Sequence, residues 1–250
     1  MLCNAKINLG LNIVGRRPDG YHDLETVFYP VHGLADELHL EESDTLRLTC
    51  GGVWVEGDAD DNLVMKAYRL LRDEFPDLPP VHIRLTKRIP TGAGLGGGSS
   101  DAAFTLRLLN ERFSLRLPDI RLEQLALRLG ADCPFFIRNT PVFATGVGEV
   151  FEPIPVDLSR YDIRIVKPRV SVSTREAFSH ITPHRPEVSL RKVVTRPVEE
   201  WRELMTNDFE ASVFPCHPEI AEAKQRMYDA GALYASMSGS GSAVYGIFMR

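Results

Sequence analysis

Polar and apolar positions alternate near the start of the chain. From Ala5 to Val14, Ala5, Ile7, Leu9, Leu11 and Ile13 are separated by Lys6, Asn8 and Asn12, the period of a strand. Gly15-Arg16-Arg17-Pro18-Asp19-Gly20 carries turn residues, and Tyr21 to Val31 reads as extended again. Glu37-Leu38-His39-Leu40 and Leu46-Arg47-Leu48 read as further strands of a meander. The spacing then becomes helical. Asp61 or Asn62 caps a helix with Leu63, Val64, Ala67, Leu70 and Leu71 on its apolar side. Val81 to Lys87 is a strand. Asp101 to Arg112 is a helix, with Ala102, Ala103, Leu106 and Leu109 in register. Another helix runs from near Asp119 to Leu129 and stops at Gly130. The apolar run Phe135-Phe136-Ile137, a turn at Asn139 and short strands around Val142 and Val150 follow.

Pro153 to Leu158, with Pro155 central, is a boundary, so the expected domains are 1–155 and 156–250. Beyond it the pattern predicts a strand over Tyr161–Val166 and a helix over Thr174–His180. A proline-rich loop covers Ile181–Val188, and helices fall near Val198–Met205 and Glu219–Ala230. Strands Leu233-Tyr234-Ala235 and Ala243–Phe248 flank Ser238-Gly239-Ser240-Gly241-Ser242. Strands and helices interleave without a regular βαβ period, which makes the chain α+β.

Between the strand ending at Lys87 and the helix from Asp101 lies Pro90-Thr91-Gly92-Ala93-Gly94-Leu95-Gly96-Gly97-Gly98-Ser99-Ser100, with five glycines in seven positions. Glycine admits positive φ and lets an anion approach the amides. A helix start adds unpaired N–H groups and the positive end of a dipole. The segment is therefore a candidate phosphate cradle. No lysine follows its last glycine, so it is not a Walker loop. Gly92-x-Gly94-x-x-Gly97 fits the dinucleotide pattern, but no acidic residue ends a second strand about 20 residues on. A phosphate loop of a third kind remains, set against a flexible Gly/Ser linker.

Composition removes several classes. Of 250 residues, 44% are hydrophobic and 25% charged, with a net charge of −5, which supports a packed core and gives no basic stripe for nucleic acid. Apolar runs are too short to span a bilayer, and no secretory leader pattern opens the chain. Cys3, Cys50, Cys133 and Cys216 lie far apart, as reduced thiols of a cytoplasmic protein do. The histidines show no metal spacing.

Phosphoryl transfer needs an acidic group at the acceptor hydroxyl and positive charge at the phosphoryl. Asp132, between a helix stop and the apolar Cys133-Pro134-Phe135-Phe136, is the acidic candidate; its local sequence by itself better suits a satisfied buried aspartate or a helix-end turn residue. Lys6 is the one charge in Ala5-Lys6-Ile7-Asn8-Leu9, and a snorkelling edge lysine fits as well. Ser238–Ser242 alone fits an ordinary turn.

Taken together, Ala5-Lys6-Ile7-Asn8-Leu9, residues 90–100 and Ser238-Gly239-Ser240-Gly241 are similar to the three motifs of the small-molecule kinases typified by galactokinase, homoserine kinase, mevalonate kinase and phosphomevalonate kinase. Gly15-x-Arg17-x-Asp19-Gly20-Tyr21-His22, Gly130-Ala131-Asp132-x-Pro134 and Gly146-x-Gly148-Glu149 resemble its cytidyl-substrate branch. The resemblance spans Lys6 to Phe248. It implies an N-terminal ATP-binding domain like the second domain of ribosomal protein S5, a ferredoxin-like C-terminal substrate domain, and an active site in the cleft between them. It implies ATP-dependent phosphorylation of the 2-hydroxyl of 4-diphosphocytidyl-2-C-methyl-D-erythritol, with Mg2+ carried mainly by ATP and no protein metal cage. Asp132 matches the catalytic aspartate. Lys6 matches the lysine that keeps it ionised and neutralises the phosphoryl. Pro90, Thr91, Gly92, Ala93, Gly94, Leu95, Gly96, Gly97, Gly98, Ser99 and Ser100 match the ATP loop, with Asn62 by the adenine. Tyr21, His22 and Phe28 match the cytidine segment, with Asn8 beside the substrate. Thr174 and Phe178 match a second wall, and Ser238, Gly239, Ser240 and Gly241 a further substrate loop. Asp101 stands where some relatives carry Asn, and many relatives continue past the last glycine loop with another helix and strand.

A sister kinase acting on another alcohol or phosphoalcohol is the alternative. A non-catalytic nucleotide-binding module is the remote one; it would expect Lys6 or Asp132 to be replaced, and both are present. No nucleic-acid or membrane partner is expected, and the oligomeric state is left open.

Overall fold

A computed structural model describes residues 1–53, 58–179 and 181–250. The chain is α+β and condenses into two compact units, neither continuous in sequence. The first comprises 1–5, 30–91 and 96–140, the second 6–29, 92–95 and 141–250.

Strand β1 (Leu2–Arg16) is buried almost throughout, on both its apolar and its polar positions. A turn at residues 17–20 leads to β2 (His22–Glu42), paired with it. The sequence pattern suggested two strands here, broken near Gly33. The backbone stays extended because β2 has ladder partners on either side of that point. In the first unit, Glu37–Glu42 run antiparallel to β4 (Val81–Lys87), and β3 (Arg47–Gly52) lies parallel to β4. Helix α1 (Leu63–Glu74) begins where expected: Asn62 Oδ1 accepts from the Val64 amide at 3.1 Å. Its buried face of Val64, Ala67, Leu70 and Leu71 packs on α2 (Gly97–Arg112).

Helix α2 starts four residues earlier than its apolar spacing suggested. Gly96 is the cap residue in the left-handed conformation, φ +69°, and Ser100 N–H already donates to Gly96 O. Glycine is a poor helix former, so its first turn carries no periodic signal. Packing demands glycine there, since a Cβ on Gly97 would lie 2.9 Å from Ile89 Cγ2. Helices α3 (Asp119–Leu127) and α4 (Phe135–Arg138) pack on α2, and α4 takes in the apolar run predicted without an element.

In the second unit, Thr26–Phe28 of β2 pair with β5 (Val142–Thr145), which pairs with β6 (Val150–Pro153). Strand β7 (Tyr161–Val166) belongs to a separate antiparallel sheet. Helix α5 (Thr174–Phe178) follows; the predicted helix reached His180, which lies outside the described residues. Helices α6 (Leu190–Val193), α7 (Trp201–Leu204) and α8 (Phe209–Val213) are single turns, and α6 and α8 were not anticipated. A turn or so is too short to show periodicity. Helix α9 (Pro218–Asp229) packs on the hairpin of β8 (Tyr234–Met237) and β9 (Val244–Met249), giving sheet order β7-β9-β8. The core of this unit joins Leu11, Ile13, Phe209, Ile220, Met237 and Val244.

One backbone approach in this unit allows no side chain. Gly94 has φ +73°, and a Cβ there would lie 1.9 Å from Ser238 O. Gly94→Ala must move one of the two loops. The left-handed conformation alone costs about 1–2 kcal/mol, so the urea midpoint should fall by at least that equivalent. An unchanged midpoint would mean that the two loops do not meet this closely.

Candidate active site

The first unit carries the head of α2. Gly96 provides no side-chain cap, and the first-turn amides of a helix have no intrahelical acceptor. Amides and dipole together favour an anion near Gly97, Gly98 and Ser99. Both serines therefore lie inside the helix, where the sequence pattern had placed them in the loop before it. Their hydroxyls do different work. Ser99 Oγ donates to Asp132 Oδ1 at 2.7 Å; Ser100 Oγ donates to Asn4 O at 2.7 Å, inside the core. Asp132 is half-buried in the turn between α3 and α4. Gly130 opens that turn, and a Cβ there would be 3.1 Å from Cys133 Sγ.

A cavity of about 360 Å³ adjoins this helix head, lined in part by Thr91, Gly98 and the apolar Leu48, Leu63 and Leu85. Its volume is within the usual range of small-molecule pockets, roughly 300–1,000 Å³. Asn62 also lines it; the cap bond uses its Oδ1, and its Nδ2 donates to Cys50 Sγ at 4.0 Å, with a second N–H left for a ligand.

Beneath the cavity is a cluster that the sequence reading did not single out. Lys87 Nζ donates to Asp36 Oδ2 and, at 2.6 Å, to Asp101 Oδ2, all three groups being buried. Asp36 Oδ1 also accepts from the amides of Arg88 and Ile89 at 2.5 and 2.8 Å. Alternation along β4 puts Lys87 on the face of Val81, Ile83 and Leu85, the signal by which a buried cation was detectable. Desolvation pushes the Asp101 carboxyl up to about 7; Lys87 opposes this, and the like charge of Asp36 adds to it. For Lys87, burial acts to lower the pKa, but the two carboxylates hold it above its ordinary value.

The second unit contains Lys6, and it is not at a snorkelling edge: it is 5% exposed. Its Nζ donates to Asn8 Oδ1 at 2.7 Å and Gly94 O at 3.1 Å, and lies 4.9 Å from the Phe28 ring centroid. Asn8 Nδ2 donates to Thr26 Oγ1, whose hydroxyl donates to Gly10 O, so the amide orientation is fixed by its neighbours. Tyr245 OH donates to Asn8 O at 2.7 Å. Residues 92–95 and the second glycine loop meet here. Ser238 Oγ donates to Gly94 O at 2.8 Å and Ala243 N–H to Ala93 O at 3.1 Å. Asn207, also missed from sequence, donates to Met237 O and Gly239 O, both at 2.8 Å.

The turn before β2 is built by its own motif. Arg17 N–H donates to Tyr21 O, Asp19 Oδ1 accepts from the Tyr21 amide, and Arg17 pairs with Asp23 at 2.7 Å. Tyr21 is 64% exposed as a result. His22 stacks on Phe178, with ring centroids 4.8 Å apart and planes 21° apart. Phe209 meets Phe178 edge-on at 4.7 Å. Thr174 begins α5, is exposed, and follows the cap residue Ser173. Phe28 is buried against Lys6 and Phe151. In Gly146-Val147-Gly148-Glu149 the carboxylate accepts from the Val147 amide at 2.6 Å, which closes the turn between β5 and β6.

The first unit thus holds a capless helix head with a carboxylate beside it, and the second a buried lysine held among glycine loops. The chain matches the family models "GHMP kinases N terminal domain" over residues 62–140 and "GHMP kinases C terminal" over 189–249. It is a GHMP kinase, an ATP-dependent phosphotransferase. A protein of Bacteroides thetaiotaomicron called 4-diphosphocytidyl-2-C-methyl-D-erythritol kinase is 59% identical over 249 residues, 98% of this chain and 90% of that one. One of that name from Parabacteroides distasonis is 54% identical over 252 residues, covering 100% and 92%. A crystal structure of 4-(cytidine 5'-diphospho)-2C-methyl-D-erythritol kinase superposes with TM-score 0.85 at 35% identity, over 99% of this chain and 89% of that one. The chain belongs to the 4-diphosphocytidyl-2-C-methyl-D-erythritol kinase family.

The Asp101 carboxyl provides a test of the buried cluster. Between pH 3.8 and about 7 the folded chain keeps a proton on Asp101 that the unfolded chain has released. Stability from this group therefore falls as pH rises through that window. Asp101→Asn is neutral throughout and does not titrate. Urea midpoints from pH 4 to 8 should show the unaltered protein losing ground to the variant up to about pH 7 and then running parallel. Parallel curves over the whole range would show that Asp101 is ionised at all these pH values.

Proposed function

We propose that this kinase transfers the γ-phosphoryl group of ATP to the 2-hydroxyl of 4-diphosphocytidyl-2-C-methyl-D-erythritol, a step in the methylerythritol phosphate route to isoprenoid precursors. The observation that carries the substrate is the aromatic group at the start of β2: an exposed Tyr21 next to His22, itself stacked on Phe178. Aromatic faces take a pyrimidine by stacking, and an imidazole offers polar atoms to its edge.

The residues divide the work as follows. Residues 90–100 receive the triphosphate, with the α2 amides facing it, and Asn62 reads the adenine. Asp132 orients the acceptor hydroxyl and takes its proton; the Ser99 hydroxyl fixes the carboxylate's direction. Lys6 places a buried ammonium against charge spread over the transferring phosphoryl, where a dry setting strengthens the interaction. Asn8 positions the substrate and holds Lys6 by their hydrogen bond. Tyr21, His22, Phe28, Thr174 and Phe178 surround the cytidyl group, and Ser238, Gly239, Ser240 and Gly241 form a further substrate wall. Magnesium fits the hard oxygen donors at the α2 head, the Asp132 carboxylate and the Ser99 hydroxyl, as an ion carried on the nucleotide; when bound it neutralises phosphate charge. The single cut after residue 155 divides activity rather than compactness and is part of this proposal. So is a cytoplasmic setting, in keeping with four free cysteines.

Two measurements test the assignment. Asp132→Asn should keep ATP and substrate affinity near normal while kcat falls about 100-fold or more, the scale of a lost positioned base. Retention of half the rate would remove Asp132 from the chemistry. Tyr21→Ala should weaken binding of the cytidyl substrate by roughly 5- to 150-fold, from about 1–3 kcal/mol of lost stacking. Affinity for an unreactive ATP analogue should hardly change. Calorimetry with both ligands separates the cases, and loss of the analogue alone would reverse the two pockets. Turnover of mevalonate or homoserine in place of the cytidyl compound would favour a sister kinase.

A further inference from the structure

Helix α5 is five residues long, too short to hold itself, so contacts with the rest of its unit decide where Phe178 stands. Two of these come from α8. Phe209 meets the Phe178 ring edge-on, and Ser212 Oγ donates to Ala177 O at 2.6 Å. The third comes from the head of α9. Glu176 Oε1 accepts from His217 Nε2 at 2.6 Å, with the imidazole 18% and the carboxylate 40% exposed. This bond is the first cause that holds the Glu176 carboxyl below its ordinary value. His217 is a firm anchor. It directly precedes Pro218, its N–H donates to Val213 O, and its carbonyl accepts from the Ile220 amide. Val213 and Ile220 are both core residues. Glu176 is fixed at its own backbone, because Ser173 Oγ accepts from its amide at 3.1 Å.

We propose that Glu176 and His217 form a strut that sets the Phe178 ring for the pyrimidine of the acceptor substrate. Both are positioning residues that act through Phe178. This rests on reading Tyr21, His22 and Phe178 as the cytidyl pocket. Stacking depends on the offset and separation of the rings, and Phe178 already lies nearly flat against His22. With the strut cut, Ser212 still holds the Ala177 carbonyl, but α5 gains freedom to turn about that tie. The ring then spends part of its time away from the stacking position. Affinity for a ligand that needs one orientation falls with the population of that orientation. A partly exposed pair contributes less than a buried one, so the loss is modest. It is also confined to the cytidyl ligand, since the α2 head and Asp132 belong to the other unit.

The test is calorimetric binding of 4-diphosphocytidyl-2-C-methyl-D-erythritol, and separately of an unreactive ATP analogue, to the whole protein. Glu176→Ala should weaken the cytidyl ligand about 3- to 10-fold and leave the analogue unchanged. In turnover, KM for the cytidyl substrate should rise while kcat holds. Glu176→Gln keeps an oxygen for His217 and should recover most of the loss. His217→Ala, alone or combined with Glu176→Ala, should reproduce the single effect without adding to it. In a Phe178→Ala background, Glu176→Ala should change nothing further. Equal weakening with and without the Phe178 ring overturns the proposal. So does a Glu176→Ala protein that melts at a lower temperature yet binds the cytidyl compound normally, the mark of a merely structural role. If Glu176→Ala does not fold, His217→Ala decides on the same readings. If Phe178→Ala by itself leaves cytidyl affinity intact, the pocket reading fails and the strut with it. If Phe178→Ala weakens binding and neither strut variant does, the strut alone fails.

Discussion

The first unit depends on one buried ammonium shared by two carboxylates. Lys87 closes strand β4, Asp36 belongs to β2, and Asp101 sits just beyond the first turn of α2. Removing Lys87 would leave two carboxylates in a dry interior without their counterpart, which is far more costly than leaving the cluster unbuilt. Asp36 also takes the amides of Arg88 and Ile89, so the chain leaving β4 is held as it runs toward the glycine segment. The strand end, the loop that follows and the helix head are thus placed by the same three groups. Burial is the first cause of the raised Asp101 pKa, and the second carboxylate, Asp36, adds to it against the pull of Lys87.

Strand β1 shows a related constraint in a milder form. Its odd positions make an ordinary apolar face. Its even positions, Asn4, Lys6, Asn8 and Asn12, are buried as well, although polar. A strand with a buried polar face must provide partners for each group on it. Here many of them come from neutral neighbours: Thr26, the Asn139 side chain and backbone carbonyls.

Much of this was legible in the chain itself, for identifiable reasons. The glycine segment carries its own local chemistry, and Asn62 declares a helix start by residue type and position. The turn motif ahead of Tyr21 works through residues no more than six apart, Arg17 and Asp23. What was hidden depends on distance in sequence. Asp36 meets Lys87 across 51 positions, and no local pattern pairs them. The early start of α2 was hidden for another reason: glycines with poor intrinsic preference are placed there by packing against Ile89. Asn207 looks like any loop asparagine until β8 and the second glycine loop bring their carbonyls to it. The long β2 was read as two strands because Pro30 and Gly33 interrupt the residue pattern while the ladder partners that continue it lie elsewhere.

The meeting of Gly94 with Ser238 has a consequence for how the molecule is made. The two residues are 144 positions apart, and the bond between them cannot form until the β8–β9 hairpin exists. Contacts of such separation carry a large loop-closure cost and belong to the slow part of folding. On the ribosome, where N-terminal segments emerge first, residues 92–95 leave the tunnel long before the loop that completes them. A nascent chain can therefore hold its finished helices α1 and α2 and still lack the finished glycine loop. The glycine loop reaches its final form only after β8 and β9 have been made.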